Sequence, residues 1–320
     1  MDAIRLCDDC RMIGSREVWL MAIRPATLPA AAAGVFVGLG AARSTGTPFR
    51  ADTALECLVV ALLMQILANL ANDLSDFRRG ADTPDRLGPT RVAAAGLIST
   101  RGLEMAIMVV VAAIGVDGIL LVAVGGPVIL ALGVAAVVAA LAYTGGPWPY
   151  GYRGLGEPLV FIFFGLVAVA GTAYLQAGRV EPLHLAAAIP VGTLVTAILV
   201  VNNLRDMDTD KGAGKRTLAV QFGARFARAE FAACLAVAWI VPVALLAAGA
   251  GGAVAGVGGE IGPLVLLPFA SLPLAIPLLR SVFAAGDPRR LNGVLRGTAR
   301  LGLVFALLFS AGLAAGRWPR

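Results

Sequence analysis

Charged and metal-binding side chains are scarce in this chain. Asp, Glu, Lys and Arg make up 14% of its 320 residues, whereas soluble domains have about 25%. Histidine occurs once, at His184, far from the polar motifs described below, so we expect an interfacial residue and no histidine base. Cys7 and Cys10 are not accompanied by a second pair, which argues against a zinc site. Cys57 and Cys234 lie in apolar stretches, where we expect packing residues and no disulfide.

Long apolar runs occupy most of the remaining sequence. The chain is 58% hydrophobic and its mean hydropathy is +0.83, while a helix needs roughly 20 apolar residues to span a bilayer. The runs show no strand-like alternation, so we predict an all-α polytopic membrane protein with about nine spans and not a β-barrel. The predicted spans are approximately 19–42, 53–74, 103–124, 126–144, 158–177, 183–204, 227–249, 262–280 and 294–316.

The basic residues predict the orientation of these spans. With the N-terminus in the cytoplasm, 21 of the 26 Lys and Arg residues fall on the cytoplasmic side, which is a strong positive-inside signal. Orientation and lipid headgroups thereby explain the net charge of +6, and we expect no nucleic-acid partner. Residues 1–18 contain acids and precede a run long enough to span, so they predict a retained cytoplasmic segment before a single membrane domain over 19–320.

Two short polar motifs occur 130 residues apart. Asn72-x-x-x-Asp76 and Asn202-x-x-x-Asp206 each end an apolar run and open a charged loop. Four predicted spans separate them, so both lie on the cytoplasmic side, in equivalent positions of two pseudo-repeated halves. Internal repeats of this kind often place the functional site between the halves, and we therefore expect a central cavity open to the cytoplasm.

The spacing within each motif predicts one polar helix face. Side chains at i, i+3, i+4 and i+7 share a face of a helix. Carboxylate and carboxamide oxygens suit Mg²⁺, which is usually held by one or two carboxylates together with phosphate oxygens, while basic side chains take the remaining phosphate charge. Two such clusters can clamp one diphosphate and promote its departure from an allylic carbon, with capture of the cation by an electron-rich ring. The first set is Asn69, Asn72, Asp73 and Asp76; the second is Asn202, Asn203, Asp206 and Asp210.

A purely structural role and a transport function are the alternatives to this hypothesis. A single polar cluster at a helix end is usually a cap or a solvated loop, but two matched clusters on one side of the membrane favour a function. A transporter can also have intramembrane carboxylates and paired halves. Transporter sites lie near the bilayer midplane, however, whereas these acids lie at helix ends.

Taken together, the motifs resemble those of the UbiA-type intramembrane prenyltransferases over essentially the whole chain. The similarity is greatest to one branch of that family, the MenA-like 1,4-dihydroxy-2-naphthoate polyprenyltransferases of menaquinone synthesis. Many family members have an acid four residues after Asp76, where this chain has Gly80 and reaches its next acid at Asp82. Either Asp73 or Asp82 can therefore supply the second carboxylate of the first cluster. The matching segments are 24–29, 70–73, 85–89, 143–144, 149–152, 154–157, 202–206 and 214–218.

The resemblance implies a reaction and its participants. It implies Mg²⁺-dependent transfer of a polyprenyl group from polyprenyl diphosphate to 1,4-dihydroxy-2-naphthoate with decarboxylation, which gives demethylmenaquinone, in the bacterial cytoplasmic (inner) membrane. Prenylation of another aromatic acceptor, such as 4-hydroxybenzoate, is the alternative. The implied catalytic residues are Asn72, Asp76, Asp206 and Asp210, and the implied metal ligands are these four with Asp73 and Asp82.

The same resemblance suggests substrate contacts. For each basic residue, a positive-inside charge accounts for its presence equally well, and Arg24 could simply extend to the interface. Tyr143 and Tyr150 could flank the aromatic acceptor, although tyrosine is common at membrane interfaces. The implied substrate-binding residues are Arg24, Arg79, Arg86, Arg91, Tyr143, Tyr150, Asn203, Lys211 and Lys215.

Overall fold

The computed structural model describes residues 14–82, 87–250 and 261–315. Every regular element in these ranges is helical, which confirms the predicted all-α class. Cys7 and Cys10 lie outside the described residues. The described α-helices are α1 (Ser15–Ile23), α2 (Leu28–Ser44), α3 (Ala51–Arg78), α4 (Thr100–Ala142), α5 (Gly156–Val160), α6 (Ala168–Ala177), α7 (Pro182–Arg205), α8 (Met207–Gly212), α9 (Leu218–Ala250), α10 (Leu272–Ala284) and α11 (Leu291–Ala315).

Shorter helical segments connect several of these helices into longer spans. A π-helical segment, Phe161–Val167, joins α5 to α6, and a 3₁₀ segment, Pro263–Ser271, precedes α10. Within the described ranges, eight helical segments are long and apolar enough to cross a membrane. The longest is α4, whose 43 residues would extend roughly 65 Å as one helix, about twice the hydrocarbon thickness of a bilayer.

Gly126 divides α4 into two helices. Its φ of 66° and ψ of −158° are not helical, and glycine adopts a positive φ without steric penalty. Pro127 follows directly and has no N–H for a helical hydrogen bond. The break lies where the predicted span 103–124 gives way to the predicted span 126–144, so α4 covers two predicted spans, and the eight candidate spans of the described residues are close to the expected nine.

Small residues bring the central helices close together. A β-carbon at Gly34 in α2 would lie 2.6 Å from the β-carbon of Ala168 in α6, and one at Gly40 would lie 2.6 Å from the α-carbon of Ser310 in α11. Because any side chain there would collide, the glycines permit the tight packing of α2 on both neighbours. Helix α7 packs against α9, α11 and α2, and forms the centre of the bundle.

His184 contributes to this packing at the start of α7. Its side chain is fully buried, and its Nδ1 accepts a hydrogen bond of 3.0 Å from the backbone N–H of Glu181. The residue lies at a helix end, as expected, but it packs inside the bundle and caps the helix. Capping is needed there because the first N–H groups of a helix have no partner within it.

Candidate active site

A cavity of about 790 Å³ lies between the helices that carry the two motifs. Along α3 the lining side chains change from apolar ones, such as Cys57 and Val60, to polar ones, Asn72 and Asp76. These positions are separated by roughly 25 Å of helix, at 1.5 Å per residue. Much of the wall is apolar, whereas the motif end is polar and charged. The cavity therefore suits a molecule with a long apolar part and an anionic end.

Asp76 is a central residue of the polar end. It is 1% exposed, and its Oδ2 accepts a hydrogen bond of 2.9 Å from Arg91. Its Oδ1 accepts one of 2.9 Å from the Tyr152 hydroxyl and lies 3.5 Å from Nζ of Lys215. A buried carboxylate needs such partners, because removing its charge from water is costly.

Lys215 joins the two motifs. Its Nζ lies 3.4 Å from Oδ1 of Asp210 as well as 3.5 Å from Oδ1 of Asp76. Burial raises the pKa of Asp210 to about 6; nearby Lys215 lowers it and Asp206 raises it further. The structure thus brings together residues 134 positions apart, around a single shared cation.

Asp210 and Asp206 keep their helical spacing across a change of helix. Helix α7 ends at Arg205, the next residue Asp206 has a non-helical φ of −94° and ψ of 9°, and α8 starts at Met207. The N–H of Asp210 still donates to the carbonyl of Asp206 over 2.7 Å. Both carboxylates consequently line the same cavity.

Arg205 binds Asp206 through two hydrogen bonds. Its Nε donates to Oδ1 over 2.7 Å and one terminal nitrogen donates to Oδ2 over 2.5 Å. The same terminal nitrogen donates to Oδ1 of Asn202 over 2.8 Å. Sequence reasoning counted Arg205 only as an orienting charge. Its spacing of three residues from Asn202 placed both on one helix face, and that was the available signal.

Asp73 points away from the cavity that Asn72 and Asp76 line. Its Oδ1 accepts from the N–H of Ala93 over 3.0 Å and its Oδ2 from the N–H of Val92 over 3.2 Å. It is 1% exposed and is not part of the cavity wall. Asp73 therefore fixes the chain that follows the first motif.

The other predicted metal ligands of the first cluster have defined surroundings. Oδ1 of Asn72 accepts a hydrogen bond of 3.0 Å from the hydroxyl of Thr144, and Asn72 lines the cavity. Asp82 lies 3.5 Å from Nε of Arg91, through which it is linked to Asp76. Asp82 therefore contacts Arg91, which lines the cavity, but does not line the cavity itself.

The predicted basic residues divide into cavity and surface positions. Arg24 and Arg91 line the cavity together with Lys215, whereas Lys211 is exposed and does not line it. Arg79 donates from Nε to the carbonyl of Thr144 over 2.9 Å, beside the polar end. Arg86 lies outside the described residues.

Arg24 reaches the cavity because the first membrane span is interrupted. Its φ of 55° ends α1, and Pro25 starts a 3₁₀ turn. Nδ2 of Asn69 donates to the carbonyl of Ile23 over 2.8 Å and to the hydroxyl of Thr27 over 2.9 Å, which stabilises the break. One terminal nitrogen of Arg24 lies 3.7 Å from Asp73.

Three tyrosines form one side of the polar end. The rings of Tyr143 and Tyr150 meet edge to face, with centroids 5.3 Å apart, and both line the cavity. Burial raises the pKa of Tyr150 to about 12 and that of Tyr143 well above its usual value. Both hydroxyls therefore stay protonated at neutral pH and can donate hydrogen bonds.

Tyr152 is the third of these tyrosines and a site residue that sequence reasoning missed. Besides bonding Asp76, its ring lies 4.9 Å from Nζ of Lys215 and 5.5 Å from the guanidinium carbon of Arg79. Burial raises the pKa of its hydroxyl, and the Asp76 carboxylate raises it further. The repeated tyrosines of the 149–152 segment were the available signal.

Asn203 faces a buried carboxylate. Its Nδ2 donates to Oε1 of Glu157 over 2.7 Å, and Asn203 also lines the cavity. Because a carboxylate oxygen accepts hydrogen bonds, Glu157 holds the amide nitrogen of Asn203 and leaves Oδ1 available as an acceptor.

The donor set of the two motifs fits Mg²⁺. Among the described residues, no group of three or more His, Cys, Asp or Glu side chains is already close enough to enclose a metal ion. Mg²⁺ does not require such a cage, since one or two carboxylates with phosphate oxygens usually suffice. Asp76 and Asp210 both contact the same Lys215 ammonium group, so their oxygens already surround a position favourable to positive charge.

Comparisons with known proteins identify the family of the chain. A model of the UbiA prenyltransferase family matches residues 31–291. The chain is 37% identical over 314 residues to the 1,4-dihydroxy-2-naphthoate octaprenyltransferase of Escherichia coli (strain K12), which covers 96% of this chain and 98% of that protein. It is 39% identical over 299 residues to the protein of the same name from Mycobacterium tuberculosis (strain ATCC 25618 / H37Rv), with 93% and 97% covered.

A solved structure has the same fold. It is a UbiA homolog from Archaeoglobus fulgidus bound to GPP and Mg²⁺, with a TM-score of 0.64 and 17% identity, and it covers 93% of this chain and 99% of that one. The matched family model spans most of the chain, and the sequence resemblance to this family is confirmed. The chain belongs to the UbiA prenyltransferase family and is a membrane-embedded prenyltransferase.

Proposed function

We propose that this protein transfers a polyprenyl group from polyprenyl diphosphate to 1,4-dihydroxy-2-naphthoate, with Mg²⁺ as cofactor. The observation that carries the proposal is the Lys215 bridge between Asp76 and Asp210 at the polar end of a largely apolar cavity. Relatives that match nearly the whole chain are named 1,4-dihydroxy-2-naphthoate octaprenyltransferases. Octaprenyl diphosphate is accordingly the first donor to test.

The cations of the site would bind the diphosphate. Lys215 and Arg91 now contact carboxylates, and both line the cavity, so phosphate oxygens can replace those carboxylates as partners. Arg79 adds positive charge beside Tyr152. When bound by Asn72, Asp76, Asp206 and Asp210, Mg²⁺ would supply further charge neutralisation for the departing diphosphate.

Asp73 and Asp82 would support the first cluster from behind. Asp73 holds the backbone of Val92 and Ala93, next to Arg91. Asp82 lies beside the Arg91 guanidinium group itself. We infer that each acts on Asp76 through the placement of Arg91, which is a different role from direct metal binding.

The reaction breaks and forms bonds only in the two substrates and needs no further reactant. The bond between the allylic carbon and the diphosphate oxygen breaks, and its electron pair leaves with the diphosphate. The ring carbon that bears the carboxylate forms the new carbon–carbon bond with the allylic carbon. The carboxylate then leaves as CO₂, the electron pair of the broken carbon–carbon bond restores the aromatic ring, and the product is the quinol form of demethylmenaquinone.

The chain's own side chains would orient the acceptor. Tyr143 and Tyr150 line the cavity and keep their hydroxyls protonated. The Oδ1 of Asn203 is an acceptor for a ring hydroxyl. The apolar wall around these groups excludes water, which would otherwise capture the allylic cation.

We further propose that the site faces the cytoplasm in the bacterial inner membrane, with a cytoplasmic N-terminus. The support is the distribution of basic residues, 21 of 26 on the side of the two motifs. Cysteine labelling of the loop after α3 in inside-out and right-side-out vesicles tests this orientation.

Purified protein with Mg²⁺, octaprenyl diphosphate and 1,4-dihydroxy-2-naphthoate should yield the prenylated quinol. A parallel reaction with 4-hydroxybenzoate should yield little product; the reverse preference would identify a different acceptor. Asp76→Ala and Asp206→Ala should each abolish turnover. Asp52→Ala, at the exposed opposite end of α3, is the matched control and should retain it. Movement of substrate across vesicles without product would favour a transporter instead.

A further inference from the structure

Asn292, at the start of α11, connects the second motif to the chain that follows the first. Its Oδ1 accepts a hydrogen bond of 2.8 Å from a terminal nitrogen of Arg205. Its Nδ2 donates over 2.9 Å to the carbonyl of Leu87. The two partners lie on different elements, 118 positions apart in the sequence.

The chemistry of the partners fixes the orientation of the Asn292 amide. Arginine can only donate hydrogen bonds, so the amide oxygen has to face Arg205. A backbone carbonyl can only accept them, so the amide nitrogen has to face Leu87. A flipped amide would satisfy neither partner. The asparagine is therefore suited to this position in a way that leucine or aspartate is not.

Each end of this connection reaches a carboxylate of the site. On one side, Arg205 is 2% exposed and holds both carboxylate oxygens of Asp206. On the other side, Leu87 begins a segment that we call the Arg91 segment, residues 87–98. Arg91 binds Asp76 over 2.9 Å, and Asp73 holds the backbone of the next two residues.

We propose that Asn292 is a positioning residue that holds the Arg91 segment against the second motif. It provides a second link between the two acid clusters, beside the direct bridge through Lys215. Diphosphate would compete with Asp76 and Asp210 for the Lys215 ammonium group. The Asn292 link involves no cavity-facing cation and so persists, keeping Arg91 in place for the anionic substrate. The kinetic part of this proposal rests on the proposed prenyl transfer.

Two substitutions separate the halves of the connection. Asn292→Asp keeps an oxygen for Arg205 but places a second acceptor opposite the Leu87 carbonyl. Asn292→Leu removes both hydrogen bonds. Ser310→Ala is the matched control on the same helix, because it removes a hydrogen bond of 2.6 Å from α11 to the carbonyl of Phe36 in α2, away from the site.

Hydrogen–deuterium exchange of the full-length protein in detergent is the first measurement. The amides of the Arg91 segment should exchange about tenfold faster in both Asn292 variants, as expected from the loss of one hydrogen bond near charged groups. Exchange in Ser310→Ala should match the wild type in this segment. Unchanged exchange in Asn292→Asp would overturn the proposal, since it would show that only the Arg205 contact matters. This readout is independent of any activity.

Steady-state kinetics is the second measurement. The KM for prenyl diphosphate should rise about tenfold in Asn292→Asp, with little change in the KM for the aromatic acceptor. Equal changes in both KM values would indicate a general structural defect and contradict a positioning role. If the wild type forms no prenylated product, the proposed function fails, while the exchange experiment still tests the link.

Discussion

The hydroxyl of Tyr152 donates a hydrogen bond of 2.9 Å to Oδ1 of Asp76 while its ring lies close to two cations. Nζ of Lys215 is 4.9 Å and the guanidinium carbon of Arg79 is 5.5 Å from the ring centroid. Cations this close to an aromatic face are attracted by its quadrupole. One side chain thus positions a carboxylate through its hydroxyl and two phosphate-binding candidates through its ring.

Substitutions of Tyr152 should separate these two contributions. Tyr152→Phe keeps the ring, and its KM for prenyl diphosphate should rise about three- to tenfold because one hydrogen bond to a charged group is lost. Tyr152→Leu should raise it further, since a cation–π contact contributes about 0.5–2 kcal/mol. Tyr174→Phe is the control, because it removes a hydroxyl that donates to the carbonyl of Gly125 outside the site. Equal effects of the Phe and Leu variants would show that the ring has no role.

Periodicity predicted the parts of the site that lie on long helices. Asn72 and Asp76 are one turn apart on α3, and both line the cavity, because helical spacing alone places them on one face. The spacing places Asp73 close to that face, but its carboxylate accepts hydrogen bonds from the backbone of Val92 and Ala93 instead. The partner that redirects it lies in an irregular segment whose path no periodic pattern encodes.

The same limit explains why Tyr152 was missed. It lies in a 3₁₀ turn, Tyr150–Arg153, that folds back so that the N–H of Gly151 donates to the carbonyl of Tyr143. The sequence marked the segment through its family resemblance, but which tyrosine reaches Asp76 depends on this local fold. Arg205 was missed for a different reason: membrane orientation already accounts for a positive charge at a helix end.

Lys215 and Lys211 form a natural pair for testing the bridge between the motifs. Lys215→Ala should lower kcat/KM for prenyl diphosphate about 100-fold, because two buried carboxylates lose a shared cation and the diphosphate loses a ligand. Lys211→Ala should stay within about threefold of the wild type, since this side chain is exposed and lies off the cavity. Comparable losses in both variants, measured by steady-state kinetics, would refute the assignment of the bridge to Lys215.

Asp73 and Asp210 should differ in what their loss affects. Asp73→Asn should lower the free energy of unfolding by about 1–3 kcal/mol, because an amide offers one oxygen where the carboxylate accepts from two backbone N–H groups. The Mg²⁺ concentration for half-maximal activity should stay unchanged in this variant. Thermal unfolding and Mg²⁺ titration measure the two quantities separately.

Asp210→Asn should show the opposite pattern. Its half-maximal Mg²⁺ concentration should rise at least about tenfold, because a neutral amide is a weaker ligand for a hard cation. Stability should not fall at pH 7: burial raises the pKa of Asp210 to about 6, so the folded protein binds this proton more tightly than the unfolded chain does. The ionised carboxyl therefore disfavours folding at pH 7, and neutral asparagine removes that effect. A Mg²⁺ shift in Asp73→Asn and none in Asp210→Asn would reverse the proposed roles.

Tyr150 should act as a hydrogen-bond donor over the whole working pH range. Burial raises its pKa to about 12, above the value of about 10 for a free tyrosine. Tyr150→Phe should raise the KM for the aromatic acceptor about tenfold, as expected from losing one hydrogen bond to a charged substrate group, and should leave the KM for prenyl diphosphate unchanged. In an ultraviolet titration of the folded protein, Tyr150→Phe should show the same tyrosinate absorbance as the wild type below pH 11. The reason is that Tyr150 of the wild type is still protonated there. If the variant instead lacked one tyrosinate that the wild type forms near pH 10, the Tyr150 hydroxyl would release its proton as readily as a free tyrosine does. That result would contradict the role of a hydrogen-bond donor and would make Tyr150 a candidate base.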